Sequence, residues 1–286
     1  MKSSSVGWKN ILEMSWHKMK IWKNTSTLHG FDVGLSMTES KEQADVLLLG
    51  SKHVDLNSFP RLKGIFRAGV GMDNVPILEA EDKGIIVRFP SQDTIDIIYE
   101  ETASFTCGLI FRMFYSNVGT LDPWFKESRR QLSTQTLLVI GTGKIGGRVV
   151  EMMDQVLNVI TFDVLKNDPS DLQRFISAAD CVSIHIPKTD GNISFIDAEK
   201  LSWMKNGAIL VNTARGAIVD EEALYLELKS KRLKAAFDVY WREPYAGKLK
   251  EFFPDPFFMT PHVASTCKEF LDGCRKDLDS LIDELS

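Results

Sequence analysis

The residues that could do chemistry fall into a glycine turn and three charged or titratable side chains downstream of it. In Leu137-Leu-Val-Ile-Gly-Thr-Gly-Lys-Ile-Gly146, four apolar residues lead into Gly141, Gly143 and Gly146 at G-x-G-x-x-G spacing. Gly141 permits a tight strand-to-helix turn, Gly143 lets backbone approach a pyrophosphate, and Gly146 lets the helix pack closely on the strand. A helix starting there aims free N–H groups and its positive dipole end at an anion. The pattern is specific only with a second strand ending in an acid about 20 residues on, and Asn158-Val-Ile-Thr-Phe-Asp163 supplies one. Further along stand Arg215 in Asn-Thr-Ala-Arg-Gly, Glu243 in Trp-Arg-Glu-Pro and His262 in Thr-Pro-His-Val-Ala. Singly, each has an ordinary reading: a surface arginine, a solvated turn, a satisfied structural histidine. Together they match what reduction of a 2-oxo acid requires. A guanidinium binds the carboxylate and carbonyl oxygen bidentately. An imidazole gives a proton to the developing alkoxide near neutral pH. A carboxylate beside that imidazole favours its charged form and orients it.

Such residues need elements to hold them, and the hydropathy pattern provides these. Compact apolar runs over 44–50, 62–69 and 84–90 predict strands, with a short helix over 75–84. Strands alternating with short helices indicate a small α/β domain. Tyr99 to Asn117 predicts a long helix that is apolar nearly all round (Ala103, Phe105, Cys107, Leu109, Ile110, Phe111, Met113, Phe114). Such a helix is buried, here between two domains or two subunits, and the domain boundary is placed in or near it. Beyond a polar connector, strands are expected at 137–140, 158–163, 181–186, 208–212 and 235–239, and helices at 144–156, 171–178 and 220–231. That alternation is a doubly wound parallel sheet, whose ligands lie at the carboxyl ends of the strands. A helix over 265–285 closes the chain and is expected to return to the first domain.

Bulk properties narrow the classes. The chain has 286 residues, 44% hydrophobic and 26% charged, with formal net charge −5, an ordinary globular composition. Mild acidity gives no reason to expect nucleic acid or an anionic membrane as partner. Four scattered cysteines without C-x-x-C spacing read as reduced thiols, not as a disulfide frame or metal site. No apolar h-region opens the chain and no run approaches the ~18 apolar residues of a membrane span. The expectation is a cytoplasmic protein with no metal.

The ordered blocks resemble the D-isomer-specific 2-hydroxyacid dehydrogenases. Arg67-Ala-Gly-Val-Gly-Met-Asp-Asn74 is similar to that family's substrate loop, Glu100-Glu-Thr-Ala103 to the start of its interdomain helix, and Gly141–Gly146 to its pyrophosphate turn. Ala179-Asp-Cys-Val-Ser-Ile-His-Ile-Pro187 is similar to the strand walling its adenosine pocket. Met204 to Gly216 with Val219 to Leu224 resembles its signature block, and Phe237-Asp-Val-Tyr-Trp-Arg-Glu-Pro244 and Thr260-Pro-His262 complete the set. The resemblance runs from about residue 44 to 264.

The resemblance implies an α/β fold of two doubly wound parallel-sheet domains: a Rossmann NAD-binding domain over 101–264, and a smaller, flavodoxin-like substrate domain over 1–100 completed by 265–286. It implies NAD as cofactor and a small 2-hydroxy or 2-oxo acid as substrate; the apolar helix near 103–114 suits a homodimer interface and a buried interdomain position equally. Arg215 would bind and polarise the 2-oxo acid, His262 would act as general acid/base, and Glu243 would orient it. Backbone N–H groups of Val70 and Gly71 would hold the substrate carboxylate. Thr102, Gly141, Gly143, Lys144, Ile145, Gly146, His185, Pro187, Thr213 and Ala214 would line the cofactor site. Asp238 would meet the nicotinamide carboxamide. Asp163 would accept from the ribose hydroxyls and repel a 2′-phosphate, favouring NAD over NADP. This sequence departs from the pattern in the short stretch between Asp163 and Ala179, which predicts a trimmed adenine wall. Lys52 follows the strand at the rim of the substrate cleft and is a candidate for a second substrate anion, beside its reading as a solvated lysine. Glu243 argues against the formate dehydrogenases, which lack this acid. A regulatory protein that senses NAD(H) on the same fold is the alternative reading.

Overall fold

A computed structural model describes residues 19–286; the opening segment examined for an h-region lies outside the described residues. The described residues divide into two compact units, one of residues 19–68, 74–90 and 274–286 and one of 69–73 and 91–273. The expected boundary at residue 100 falls inside a helix, and the chain divides at Pro90 instead.

The smaller unit is built on five parallel strands, β1 Lys20–Lys23, β2 Ser36–Met37, β3 Val46–Leu49, β4 Gly64–Arg67 and β5 Ile86–Arg88. Their order, β2-β1-β3-β4-β5, is the flavodoxin-like arrangement. β3 and β4 are buried at every residue, which is why β3 reads as an unbroken apolar run; β4 ends in the buried Arg67. Leu47, Leu49, Leu56, Phe59, Ile65 and Ala80 form one core, the last from helix α1 (Ile77–Asp82).

The larger unit begins with α2 (Gln92–Phe114) and a hairpin of β6 (Gly119–Thr120) and β7 (Phe125–Lys126). A six-stranded parallel sheet follows: β8 Thr136–Ile140, β9 Asn158–Phe162, β10 Cys181–Ile184, β11 Ile209–Asn212, β12 Lys234–Phe237 and β13 Phe257–Met259. Its order is β13-β12-β11-β10-β8-β9. The direction of winding reverses between β8 and β10, the switch point where such sheets bind ligands. Alternate residues face two cores. Leu138, Ile140, Val182, Ile184 and Leu210 pack under α4 (Leu172–Ala178), α5 (Ala198–Trp203) and α6 (Glu221–Lys229). Leu137, Val139, Cys181, Ile209 and Val211 pack against α2 and α3 (Lys144–Met153). The sequence pattern predicted burial of α2 between domains or subunits. Its Ala103, Cys107, Leu109, Ile110 and Met113 are instead buried inside this one unit. β13 and α5 were not anticipated: β13 is three residues long behind a proline, and α5 has only six. The last helix, α7 (Lys268–Leu285), groups with the smaller unit from Cys274 onward. Arg88 of β5 pairs with Glu284 at 2.5 Å.

Candidate active site

Strand register explains why the candidate residues meet. Phe162 pairs with Ile140, Ile140 with Ile184, Ile184 with Asn212, Asn212 with Phe237 and Phe237 with Met259. The residue following each therefore falls in one row along the carboxyl edge: Asp163, Gly141, His185, Thr213, Asp238 and Thr260. Segments far apart in sequence are neighbours there because all six strands are parallel.

The glycine turn sits at the switch point. Gly141 has φ +90°, and a Cβ on it would lie 2.6 Å from the His185 carbonyl oxygen. A Cβ on Gly146 would lie 1.9 Å from the Gly141 oxygen, so both are required by close packing. Gly143 has open space where a side chain would point, and no side chain caps the helix it starts. An uncapped N-terminus with an open approach fits a pyrophosphate. Lys144 is exposed on the first turn, whereas Ile145 packs partly into the core beneath α2. Asp163 lies beside the turn: its Oδ2 accepts from Thr142 N–H at 3.0 Å and Thr142 Oγ1 at 2.8 Å, and its Oδ1 from Leu165 N–H at 3.0 Å. The Thr142 backbone bond, foremost among these, lowers its pKa, so the carboxylate is charged and held. Residues 164–171 turn directly into α4, and Leu165 is 90% exposed. His185 is half-buried; desolvation of its ring pushes its pKa down to about 4, and its Nε2 meets Ser183 Oγ at 2.8 Å. It is a neutral wall. Pro187 gives its carbonyl to Asn192 Nδ2. Thr102 and Thr213 are buried and connect through Thr106, whose hydroxyl donates to the Thr102 carbonyl at 2.7 Å and lies 2.8 Å from Thr213 Oγ1.

The catalytic candidates occupy the loops after β11, β12 and β13. Asn212 closes the first of these, donating to the Arg215 carbonyl and accepting from Ala214 N–H. Arg215 Nη1 donates to the Ala214 carbonyl at 2.7 Å and Nη2 to Asp73 Oδ1 at 3.3 Å. Gly71 lies so close that a Cβ there would be 1.9 Å from Arg215 Nη2. The Val70–Gly71 loop groups with this unit, beside the arginine. Lys52 is an exposed residue of the smaller unit, and its carbonyl accepts from Asn24 and Asn74.

His262 Nδ1 lies 2.8 Å from Glu243 Oε2, while Glu243 Oε1 accepts from Tyr240 N–H at 3.1 Å. A carboxylate only accepts, so Nδ1 carries the hydrogen and Nε2 is left to exchange a proton. His262 has φ +55°, a left-handed conformation that costs a non-glycine residue about 1 kcal/mol or more. Asp238 holds it there. Fully buried, its Oδ1 accepts from Thr260 Oγ1 at 2.6 Å and Val263 N–H at 2.9 Å, and its Oδ2 from Ala264 N–H at 2.9 Å. Burial, opposed by these bonds, raises its pKa. The sequence reading gave Asp238 to the cofactor alone and missed this bracing of the His262 backbone. It also missed Asp73, Thr142 and Asn212, although all three lie inside the motifs it quoted. Among the described residues no group of His, Cys, Asp and Glu could hold a metal ion, and no helix is long and apolar enough to cross a membrane.

Residues 119–264 match the family model for the D-isomer specific 2-hydroxyacid dehydrogenase NAD binding domain. The chain belongs to that family. It is 30% identical to a hydroxypyruvate reductase of Thermotoga maritima over 83% of this chain and 79% of that protein. It is 32% identical to a D-3-phosphoglycerate dehydrogenase of Archaeoglobus fulgidus, over 73% of this chain but only 42% of that longer protein. The crystal structure of D-lactate dehydrogenase from Aquifex aeolicus, complexed with NAD and lactic acid, superposes with a TM-score of 0.74 at 24% identity, covering 93% of this chain and 95% of that one. The family membership makes this an NAD-dependent oxidoreductase acting on 2-hydroxy acids.

Proposed function

We propose that the chain interconverts a small D-2-hydroxy acid and its 2-oxo acid. NAD(H), when bound, exchanges the hydride with C2 of the substrate. Arg215 grips the substrate carboxylate and polarises the 2-oxo group, assisted by the N–H groups of Val70 and Gly71. His262 gives a proton from Nε2 to the carbonyl oxygen in reduction and takes it back in oxidation, while Glu243 stabilises the imidazolium through Nδ1. The observation that carries this reading is the 2.8 Å Glu243–His262 pair on the same strand edge as the glycine turn. Gly141, Gly143 and Gly146 with Lys144 would receive the pyrophosphate. Asp163 would take the ribose hydroxyls, and the second lone pair of Asp238 Oδ2 would serve the carboxamide. The test is NADH oxidation with glyoxylate, hydroxypyruvate, pyruvate and phosphohydroxypyruvate. Activity is expected with at least one, and Arg215→Ala and His262→Ala should each lower turnover by about 10²–10⁴-fold while NADH still binds. Background rates across the panel would instead favour an NAD(H) sensor.

We also propose a homodimer. With α2 buried in its own unit, support comes from the β6–β7 hairpin, where Leu121 is 82% and Trp124 75% exposed, with Val118 and Phe125 beside them. Apolar side chains so exposed on one hairpin mark a contact surface. Sedimentation of the wild type and of Leu121→Ser/Trp124→Ser decides it: a monomeric wild type removes the proposal. The cytoplasm is the proposed compartment, on four free cysteines.

A further inference from the structure

A second cation stands beside the arginine. Lys188 follows Pro187 on the loop leaving β10, and its Nζ lies 3.8 Å from Asp73 Oδ2. Arg215 Nη2 lies 3.3 Å from the other oxygen of the same carboxylate. All three side chains are partly buried, between 26% and 34% exposed, and all three residues belong to the larger unit. One carboxylate thus faces two cations that arrive from different strand ends.

A substrate carboxylate competes with Asp73 for Arg215. A bidentate grip on a carboxylate uses two N–H groups along one edge of the guanidinium. Here Nη1 is given to the Ala214 carbonyl and Nη2 to Asp73, and Gly71 packed against Nη2 leaves little room for sideways movement. Both bidentate edges of the guanidinium include Nη2, so a substrate carboxylate draws on the nitrogen that Asp73 now holds. Burial pushes the Asp73 pKa up, but the Arg215 charge, hydrogen bonds and the Lys188 charge outweigh it and hold it below the usual value. An ionised, partly buried carboxylate released by its arginine needs another partner. Lys188, a flexible ammonium already close to the opposite oxygen, can supply it with a small change of rotamer.

We propose, building on the assignment of Arg215 to the substrate carboxylate, that Lys188 is a positioning residue: it takes over Asp73 and so frees Arg215 for the 2-oxo acid. Lys188 itself touches neither substrate nor the reacting atoms.

The experiment is a double-mutant cycle of Lys188→Met and Asp73→Asn. It reads KM and kcat for the best 2-oxo acid of the panel, and the affinity of the enzyme–NADH complex for oxamate, an unreactive 2-oxo acid mimic. In the wild-type background Lys188→Met should raise KM and the oxamate Kd about fivefold, near the most that a partly exposed ion pair contributes, at unchanged kcat and NADH affinity. In the Asp73→Asn background, where no carboxylate is left to satisfy, the same change should be within twofold of neutral. Lys188→Arg should restore oxamate binding. Equal losses in both backgrounds, or a loss seen in kcat or NADH affinity, overturn the proposal. A loss confined to substrates with a second anionic group and untouched by Asp73→Asn would show that Lys188 binds substrate directly, and overturns it too. If wild-type enzyme with NADH neither binds oxamate nor reduces any 2-oxo acid, the functional reading falls, and the Lys188 proposal with it.

Discussion

Asp238→Asn perturbs the site without changing its volume. The carboxylate accepts three hydrogen bonds, two through Oδ1 and one through Oδ2. An amide keeps one accepting oxygen, so its NH2 group must face a donor. The smaller loss turns NH2 toward Ala264 N–H. That removes one bond to a charged acceptor, about 1.5–3 kcal/mol. It also relieves the burial of a charge, the main cause of the raised Asp238 pKa, so net destabilisation should be about 1–2 kcal/mol. The local effect matters more. His262, two residues before Ala264, is kept in a left-handed conformation by the bonds on either side of it. Weakening them lets the backbone relax and draws Nε2 away from the substrate oxygen. The expected fall in kcat/KM is about 10–100-fold, or roughly 1.4–2.7 kcal/mol of transition-state stabilisation. Urea denaturation gives the first quantity and steady-state kinetics the second, with NADH affinity measured alongside. An unshifted urea midpoint refutes the bonding argument. A shifted midpoint with unchanged kcat/KM refutes the claim that Asp238 holds the catalytic histidine. A loss wholly in NADH affinity would assign Asp238 to the cofactor alone.

Other consequences follow from the same geometry. Gly71→Ala places a methyl group where Arg215 Nη2 now lies; because the obstructed atom ends a flexible side chain, stability should change by less than about 1 kcal/mol while KM for the 2-oxo acid rises about tenfold or more. Kinetics and urea midpoints on one preparation check this, and an unchanged KM would contradict it. His185 gives a pH dependence of stability. Its folded pKa of about 4 lies below the 6.5 of a free imidazole, so as pH falls the unfolded chain takes up the proton first. Its contribution is complete above pH 6.5 and declines as the pH approaches 4, by up to about 3 kcal/mol. His185→Gln should flatten that part of the urea midpoint–pH curve between pH 7 and 4; an unaltered curve would show that another group causes the acid loss.

The architecture was legible where burial is two-sided. β3, β8 and β11 appear as near-continuous apolar runs because parallel strands covered on both faces leave few positions for a polar residue. Where burial is one-sided or the element short, the signal fades. β1 has a single fully buried residue, Ile21, among Lys20, Trp22 and Lys23, and β13 has only Phe257. Helix α2 shows a different limit. Its apolar character correctly announced burial, but amino-acid types cannot say which surface covers a helix. Its buried residues are covered by β8, β11 and α3 of its own unit.

The site divides in the same way. Of the proposed site residues, the glycines, Asp163, Arg215, Glu243 and His262 stand out in the sequence because each combines a chemical type suited to its proposed task with a place after a strand. Asp73, Asn212 and Lys188 do not, because what distinguishes them is contact with partners that sequence does not place beside them. Asp73 and Arg215 are 142 positions apart, and Lys188 reads as an ordinary solvated lysine after a proline. What joins them is the parallel sheet. Each strand delivers its following loop to the same edge, so the β10 and β11 loops bring Lys188 and Arg215 onto one carboxylate. Sheet order also says where this coupling must stop. β10 and β11 are adjacent, whereas β13, whose following loop carries His262, lies at the outer edge beyond β12. Substitution of Lys188 should therefore alter how Arg215 holds a carboxylate and leave the proton transfer at His262 untouched, which is the physical reason for a change in KM at constant kcat.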